Sequence, residues 1–342
     1  MRKIIFTVLV LVIVLFLITR FTEVQEIVTI LHSGDWRFVA LAFLVEVIWM
    51  VSVATSYYNL YHLLGLRETR LRMFLVANAA SFVNVMAPSG GMTALAIFLA
   101  DARKRGHATG RVTIACILYL LFDYLGVLSA VCLGLMLPGA VRSINWSIWA
   151  AGSVLLIIVI GLSTLLILAD RFPSHLARLV DGLEIGVQRL LTLLKSRRSM
   201  TMGRGAVFAA QISEGMRAVR ANPKQLIFPG LLGLASKALL ISVLYLMFRA
   251  FQIPFSPGML ITGFSLAYLF AIASPTPSGV GVVEGVLTLS LASLGLSVEA
   301  ATLIALSYRG VTFWLPFIVG LMSFRRLTRV STVRGGQPAT AD

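Results

Sequence analysis

Two Pro-Ser-Gly turns interrupt apolar segments of the chain, and their surroundings could bind an anion. The first is Pro88-Ser89-Gly90, followed by Gly91, and the second is Pro277-Ser278-Gly279, followed by Val280 and Gly281. A helix that begins after such a turn presents free N–H groups and the positive end of its dipole, which together favour phosphate. The glycines permit close approach to the backbone, and the serine hydroxyls could cap a helix or donate to a ligand. An equally weighted interpretation is that these residues only cap and pack the turns.

Five ionisable residues lie within apolar sequence: Glu46, Asp123, Lys237, Glu284 and Arg309. Each would cost about 2.5–3.5 kcal/mol at the centre of a bilayer, so we expect it to face the protein interior and to have a partner. Arg309 is predicted to pair with Glu284 or with Asp123 and to bind a lipid headgroup or a proton. A purely structural ion pair is the alternative. Glu46 and Lys237 are weaker candidates, although Lys237 could neutralise a phosphate.

The sequence lacks the common motifs of nucleotide and metal chemistry. It contains no Walker A pattern, no His-Glu-x-x-His and no Cys/His cluster with zinc spacing. We therefore predict no cofactor, no metal site and no catalytic residue. An intramembrane enzyme that uses Glu284 as an acid or base is the least favoured class, because no nucleophile and base occur at a fixed spacing.

The composition is typical of a polytopic membrane protein. Of the 342 residues, 58% are hydrophobic and only 13% are charged. The net charge of +15 would suggest a nucleic-acid partner in a soluble protein. Here the basic residues lie mostly in loops between apolar segments, so membrane topology explains the charge and no nucleic-acid partner is expected.

Apolar runs predict an all-α fold with about six full membrane spans and two interrupted segments. The interrupted segments are 73–100 and 256–294, each broken by one Pro-Ser-Gly turn. The N-terminal run resembles a signal peptide but has no small-residue cleavage site, so we interpret it as a retained span. The full spans are expected at about 3–20, 36–64, 112–137, 147–169, 223–251 and 298–322.

The positive-inside rule gives each interrupted segment a re-entrant topology. Basic residues place both termini, the loops at 67–72 and 103–111 and the 170–224 region in the cytoplasm. Each interrupted segment then begins and ends on one side of the membrane, which predicts two re-entrant helical hairpins that enter from opposite faces. Two short full spans in each segment are the alternative, which half-lengths near 15 residues disfavour.

Landmarks at matching distances from the two turns indicate an inverted repeat. Gly106 and Gly295, and likewise Tyr119 and Tyr308, follow the two prolines at equal separations. Interrupted hydrophobic segments at corresponding places in two halves are typical of a transporter binding site. The repeats are expected at about 36–137 and 223–322 within one membrane domain, 1–325, followed by a disordered cytoplasmic tail, 326–342. Two unrelated turns of similar composition remain the alternative.

The segment between the repeats, about 170–222, has a different character. Leucines at helical spacing with intervening Arg and Lys predict an amphipathic helix at 173–198 that lies on an anionic lipid surface. A second, weaker helix is expected at about 206–220. Asn222-Pro223 is predicted to cap and begin the next span.

Two sequence signatures resemble the lysylphosphatidylglycerol synthase transmembrane (flippase-like) family. Asn84 to Gly91, Arg103 to Gly106 and Leu120 to Tyr124 resemble the first signature. Pro275 to Gly285, together with Arg309 and Pro316, resembles the second signature. The resemblance covers roughly residues 5–325 and implies a relative of the lipid-translocating part of aminoacyl-phospholipid synthases.

The chain departs from the family pattern in two respects. Some members carry Glu and Arg soon after the first turn, whereas Met92 to Leu99 is apolar here, so the headgroup class stays open. The chain also ends at Asp342 without the soluble aminoacyl-transfer domain, which implies a stand-alone member.

The resemblance and the turns together favour a lipid translocase of the cell membrane. It would move a phospholipid or lipid-linked headgroup between leaflets through a cleft between the hairpins at the membrane midplane. Its expected partners are membrane lipids with phosphate-bearing headgroups, and a second copy of the chain or a partner enzyme is possible. The alternative is a non-transporting accessory protein for a lipid- or glycolipid-synthesising enzyme, docked through the 170–224 region.

Overall fold

The computed structural model describes residues 27–86, 92–136, 146–171, 204–274, 276 and 279–334. Within these ranges the regular elements are helices, so the predicted all-α fold is confirmed. Residues 27–33 are helical. The longer helices are α1 Trp36–Leu63, α2 Arg70–Met86, α3 Met92–Lys104, α4 Thr109–Met136, α5 Trp146–Arg171, α6 Arg204–Ala221, α7 Ile227–Ala250, α8 Pro257–Ala273, α9 Val282–Ser293, α10 Val298–Thr312 and α11 Trp314–Arg334.

Five helical stretches are long and apolar enough to cross a membrane, which makes the chain a multi-pass membrane protein. They coincide with the predicted spans that fall in the described residues, and the predicted first span at 3–20 lies outside them. The stretches are Trp36–Leu63, Thr109–Met136, Gly152–Arg171, Pro223–Ala250 and Val298–Thr328.

The last span differs in two ways from the sequence expectation. It is divided at Phe313, where α10 ends and α11 begins. Its helix then continues to Arg334, whereas the sequence placed the start of a disordered tail at residue 326. Residues 335–342 lie outside the described residues.

Each interrupted segment forms two short helices that pack against each other, α2 with α3 and α8 with α9. In the first pair the Thr93 hydroxyl donates to the side-chain oxygen of Asn84 at 3.3 Å, which ties the start of α3 to the end of α2. Of the predicted turn residues, Gly279 and Gly281 are described. The others lie outside the described residues: Pro88, Ser89, Gly90, Gly91, Pro277 and Ser278.

The two halves of the chain repeat the same succession of helices and loops. Both α2 and α8 have 17 residues, and α3 and α9 have 13 and 12. Loops of equal length precede them, 64–69 and 251–256, and loops of equal length follow them, 105–108 and 294–297. The contacts also correspond: α1 packs on α2 and α4 as α7 packs on α8 and α10.

The helix ends of the two halves are closed by the same left-handed turn. After α1 and α7 the turn residues are Gly65, at φ 71°, and Gln252, at φ 55°. The next residue in each case donates its N–H to the carbonyl five positions earlier, at 2.9 Å and 3.1 Å. After α3 and α9 the turn residues are Gly106 and Gly295, with the equivalent bonds at 2.9 Å and 3.2 Å.

Helices α4 and α7 approach each other almost backbone to backbone. A Cβ atom added to Gly126 would lie 2.6 Å from the carbonyl oxygen of Gly233. A Cβ added to Gly233 would lie 2.8 Å from the carbonyl oxygen of Phe122. Small residues at such an interface are a common means of helix packing within membranes. This approach sets the distance between the charged side chains that α4 and α7 carry.

Helix α6 packs on α4 and α5 at the predicted cytoplasmic face. The Gln211 side chain accepts from the backbone N–H of Gly110 at 2.9 Å, and Glu214 forms an ion pair with Arg111. The hydrogen bond and charge of Arg111 lower the pKa of Glu214. The predicted 173–198 helix lies outside the described residues.

Asn222 is the N-cap residue and Pro223 the first helical position of the next span, as the sequence predicted. The Asn222 side chain makes no cap bond and instead donates backwards to the carbonyl of Ala218 at 3.5 Å. Pro223 begins a short 3₁₀ turn, Pro223–Leu226, that leads into α7.

Candidate functional site

A cavity of about 310 Å³ lies where the end of α2, the end of α8 and the start of α9 meet α1, α10 and α11. Aromatic rings form much of its wall, including Trp49, Phe82 and Phe317. Both interrupted helix pairs therefore contribute to one cavity. Its lining includes these polar or ionisable side chains: Ser81, Asn84, Tyr268, Tyr308, Arg309 and Thr312.

Arg309 and Glu284 form an ion pair at this cavity, as the sequence predicted. Arg309 Nε donates to Glu284 Oε1 at 2.8 Å, and the two side chains are only 11% and 19% exposed. Glu284 lies in the first turn of α9 and Arg309 in the last turn of α10, so each charge is favoured by its own helix dipole. The guanidinium also lies over the ring of Phe313, 4.8 Å from its centroid.

The second oxygen of Glu284 has a different environment from the first. Oε2 is buried and has no hydrogen-bond partner among the described residues. A carboxylate can accept several hydrogen bonds, so this pairing leaves part of its capacity unused.

Asp123 pairs with Lys237, and the alternative that it pairs with Arg309 is wrong. Lys237 Nζ lies 2.5 Å from Asp123 Oδ1, with side chains 4% and 19% exposed. The reason is the close packing of α4 on α7 at Gly126 and Gly233, which brings the two charges together. Lys237 carried only a weak signal in the sequence analysis, because it lies outside both signatures.

Tyr268 on α8 connects the two ion pairs and was not identified from the sequence. Lys237 Nζ lies over its ring, 4.9 Å from the centroid, and the same side chain lines the cavity with Arg309. It interacts electrostatically with both Asp123 and Arg309. An aromatic residue in an apolar helix carries no pattern that distinguishes such a role from core packing.

The two described glycines of the second turn have different structural needs. Gly279 has φ 66°, and an added Cβ would lie 2.9 Å from Val283 and 3.1 Å from Ala271. Gly281 has φ 79° and open space around an added Cβ, so only its backbone conformation requires glycine. Gly281 is the N-cap residue of α9 and, as a glycine, has no side chain that could form a cap bond. Capping and packing account for both glycines, and their predicted role in ligand binding stays a prediction.

The described residues contain no group of three or more His, Cys, Asp or Glu side chains that could hold a metal ion. The site therefore consists of ion pairs, aromatic rings and hydroxyl groups.

The fold and the site define a class: a polytopic helical membrane protein with two interrupted helix pairs around a cavity lined by the arginine of a buried ion pair. The family model described as the lysylphosphatidylglycerol synthase TM region matches residues 4–320, and the chain belongs to this family. This membership makes it a membrane protein related to lipid metabolism or transport. No curated protein matches the chain.

Proposed function

We propose that the protein is a lipid translocase that moves a phosphate-bearing lipid headgroup between leaflets through the cavity of Arg309. The observation that carries the proposal is the Arg309–Glu284 pair in a cavity to which both interrupted helix pairs contribute. A buried ion pair contributes little to stability in itself, so its retention in an apolar protein favours a binding role. The chain performs no covalent chemistry in this proposal.

The binding step is an exchange of partners at Arg309. A planar guanidinium binds phosphate with two parallel hydrogen bonds, a geometry that an ammonium group cannot reproduce. Glu284 occupies the guanidinium when the site is empty, and a phosphate replaces it when a lipid enters. A cavity of about 310 Å³ suits a headgroup, so the acyl chains remain in the surrounding lipid.

The lengths of the interrupted helices support re-entrant hairpins. Helices α2, α3, α8 and α9 have 17, 13, 17 and 12 residues, which correspond to about 18–26 Å at 1.5 Å per residue. The hydrocarbon core is about 30 Å thick, so none of the four helices is long enough to cross it. Non-helical backbone at this depth requires a protein-lined or water-filled cavity, which is where the helix pairs meet.

The count of crossings supports an inverted arrangement of the matched halves. Between the start of α1 and the start of α7, the three long helices α1, α4 and α5 each cross once. The α2–α3 pair adds an even number of crossings, whether it is re-entrant or fully spanning. The second half therefore begins on the opposite side of the membrane, provided that the basic 172–203 segment does not cross. With the positive-inside rule, both termini lie in the cytoplasm and the protein belongs in the cell membrane.

Reconstitution into vesicles tests this proposal. The purified protein is placed in phosphatidylcholine vesicles that contain a trace of headgroup-labelled phosphatidylglycerol, and a membrane-impermeant reductant bleaches the outer leaflet. We expect labelled lipid from the inner leaflet to become accessible faster than in protein-free vesicles. Movement no faster than in protein-free vesicles would contradict translocation and favour the accessory role.

A further inference from the structure

Glu46 is a fully buried carboxyl group without a partner. It lies near the middle of α1 and is 0% exposed. Neither of its carboxyl oxygens has a hydrogen-bond partner within the described residues. Asp123 and Glu284, two other acidic side chains in apolar helices, are each bonded to a cation. The ion-pair chemistry of the cavity therefore does not account for Glu46.

The surroundings of Glu46 connect it to the cavity. Tyr268 of α8 and Tyr308 of α10 lie close enough to Glu46 to be influenced by a charge on it. Both tyrosines line the cavity beside Arg309, and Arg309 acts on both of them. Trp49 lies one helical turn after Glu46 on α1 and lines the same cavity.

The charged and titratable groups of the neighbouring helices are otherwise engaged. On α7, Lys237 is bonded to Asp123 of α4, and its ammonium also lies over the ring of Tyr268. On α10, Arg309 is bonded to Glu284 of α9. The cations of α2, Arg70 and Arg72, lie in its first turn and so far from the cavity end of that helix. No described cation is therefore placed to neutralise Glu46.

We propose that Glu46 is a proton-binding site whose occupancy is coupled to the headgroup cavity. An ionised carboxylate that is buried in apolar surroundings without a partner is very costly, so the group holds a proton in this arrangement. An anionic headgroup at Arg309 adds negative charge to the same region, which further opposes ionisation of Glu46. A bound proton therefore raises the affinity for an anionic headgroup, and a bound headgroup raises the affinity for the proton. By thermodynamic linkage the two affinities change by the same factor.

The inference rests on the proposed lipid movement and gives it an energy source. One proton that moves with one anionic lipid can drive about a tenfold accumulation per unit of pH gradient, since one unit corresponds to about 1.4 kcal/mol. Release of the proton requires water or a cation to reach Glu46. A rearrangement that opens the cavity towards α1 would supply that access.

Infrared spectroscopy of the protein in vesicles tests the proton site independently of transport. The carbonyl band of a protonated carboxylic acid is compared for the native protein, Glu46→Gln and a control, Glu299→Gln, which changes an exposed acid in the first turn of α10. We expect the band at neutral pH in the native protein and the control, and a loss of intensity in Glu46→Gln. Identical spectra for the native protein and Glu46→Gln would overturn the proposal.

Movement of labelled phosphatidylglycerol under an imposed pH gradient tests the coupling. The native protein, Glu299→Gln and the carboxyl-retaining Glu46→Asp should respond by up to about tenfold per pH unit, and Glu46→Gln should move lipid equally with and without the gradient. A native protein that moves lipid without any response to the gradient would overturn the coupling and leave the translocase intact. A native protein that moves no lipid would refute the proposed function and the coupling together, and the infrared comparison would then decide the proton site alone.

Discussion

Arg309 Nε and Glu284 Oε1 lie 2.8 Å apart, although the two residues occupy different helices. The end of α10, which carries Arg309, meets the start of α9, which carries Glu284, beside the cavity. The carboxylate comes from the half-helix that follows the second Pro-Ser-Gly turn, and the guanidinium comes from the next span. Any ligand that binds Arg309 must therefore act on the helix pair α8–α9 as well. Under the proposed function, occupancy of the site is therefore coupled to the position of the α8–α9 pair.

The second ion pair, Asp123–Lys237, is predicted to be structural. Lys237→Met leaves Asp123 buried without its cation, and Asp123→Leu leaves Lys237 without its anion, so each should destabilise the protein by roughly 3–5 kcal/mol. The double variant removes both charges and should recover most of that loss. Thermal stability in detergent measures the effect. If the loss of stability in the double variant equals the sum of the losses in the two single variants, the two residues act separately.

The close approach of α4 and α7 should make Gly126 intolerant of any side chain. A methyl group at Gly126→Ala would lie 2.6 Å from a backbone carbonyl, so the helices must separate and the Asp123–Lys237 contact should weaken. Gly161→Ala on α5 is the matched control, since its Cβ meets no atom within 4 Å. We expect a lower melting temperature for Gly126→Ala and an unchanged or higher one for Gly161→Ala. Equal behaviour would mean that α4 and α7 are more loosely packed than described.

The matched helix ends predict a stabilising substitution at Gln252. Gln252 is exposed and adopts φ 55°, in the conformation that Gly65 has after α1. A left-handed conformation costs a residue with a side chain about 1–2 kcal/mol. A glycine lowers the free energy of unfolding by about 0.4–1 kcal/mol, because the unfolded chain gains conformational freedom. Gln252→Gly should therefore raise stability by up to about 1 kcal/mol, and Gly65→Gln should lower it. A loss of stability in Gln252→Gly, measured by thermal unfolding in detergent, would contradict the equivalence of the two turns.

The proposed inverted topology predicts opposite accessibility for the loops that follow the two interrupted helix pairs. Single cysteines are placed at Gly106 and Gly295, in a background from which Cys116 and Cys132 have been removed. Neither added Cβ would meet a neighbouring atom within 4 Å, but the positive φ of the two positions, 70° and 104°, strains a cysteine there, so the folding of each variant is checked by thermal unfolding in detergent. A membrane-impermeant thiol reagent added to intact cells should label Gly295→Cys only. Labelling of both from the same side would refute the inversion.

Sequence reasoning succeeded where one physical limit dominates. Membrane thickness fixes the length of an apolar span, so the bounds of α1 and α4 were predicted to within a few residues. The cost of a charge in an apolar helix likewise pointed to Glu284 and Arg309, which do meet.

The rest depends on contacts between residues that are distant along the chain. Lys237 meets Asp123 because Gly126 and Gly233 allow two helices to touch, and nothing in either local sequence specifies the other helix. Tyr268 gains its position between the ion pairs only from the packing of α8. The break of the last span at Phe313 does have a local signal that the sequence prediction did not use: Pro316 lies in the first turn of α11 and opposes a continuous helix at Thr312.

Lipid movement by three variants tests the central claim most directly. Arg309→Lys keeps the charge and the fold but loses the planar fork, Glu284→Gln keeps the shape of the partner, and Glu299→Gln changes an exposed acid as the control. In vesicles with labelled phosphatidylglycerol, we predict the native rate of lipid movement for Glu299→Gln, a rate at least tenfold lower for Arg309→Lys and an altered rate for Glu284→Gln. Thermal unfolding in detergent should show that all three variants are folded. Native rates for both Arg309→Lys and Glu284→Gln would contradict the account, because the ion pair would then be structural and the headgroup would bind elsewhere.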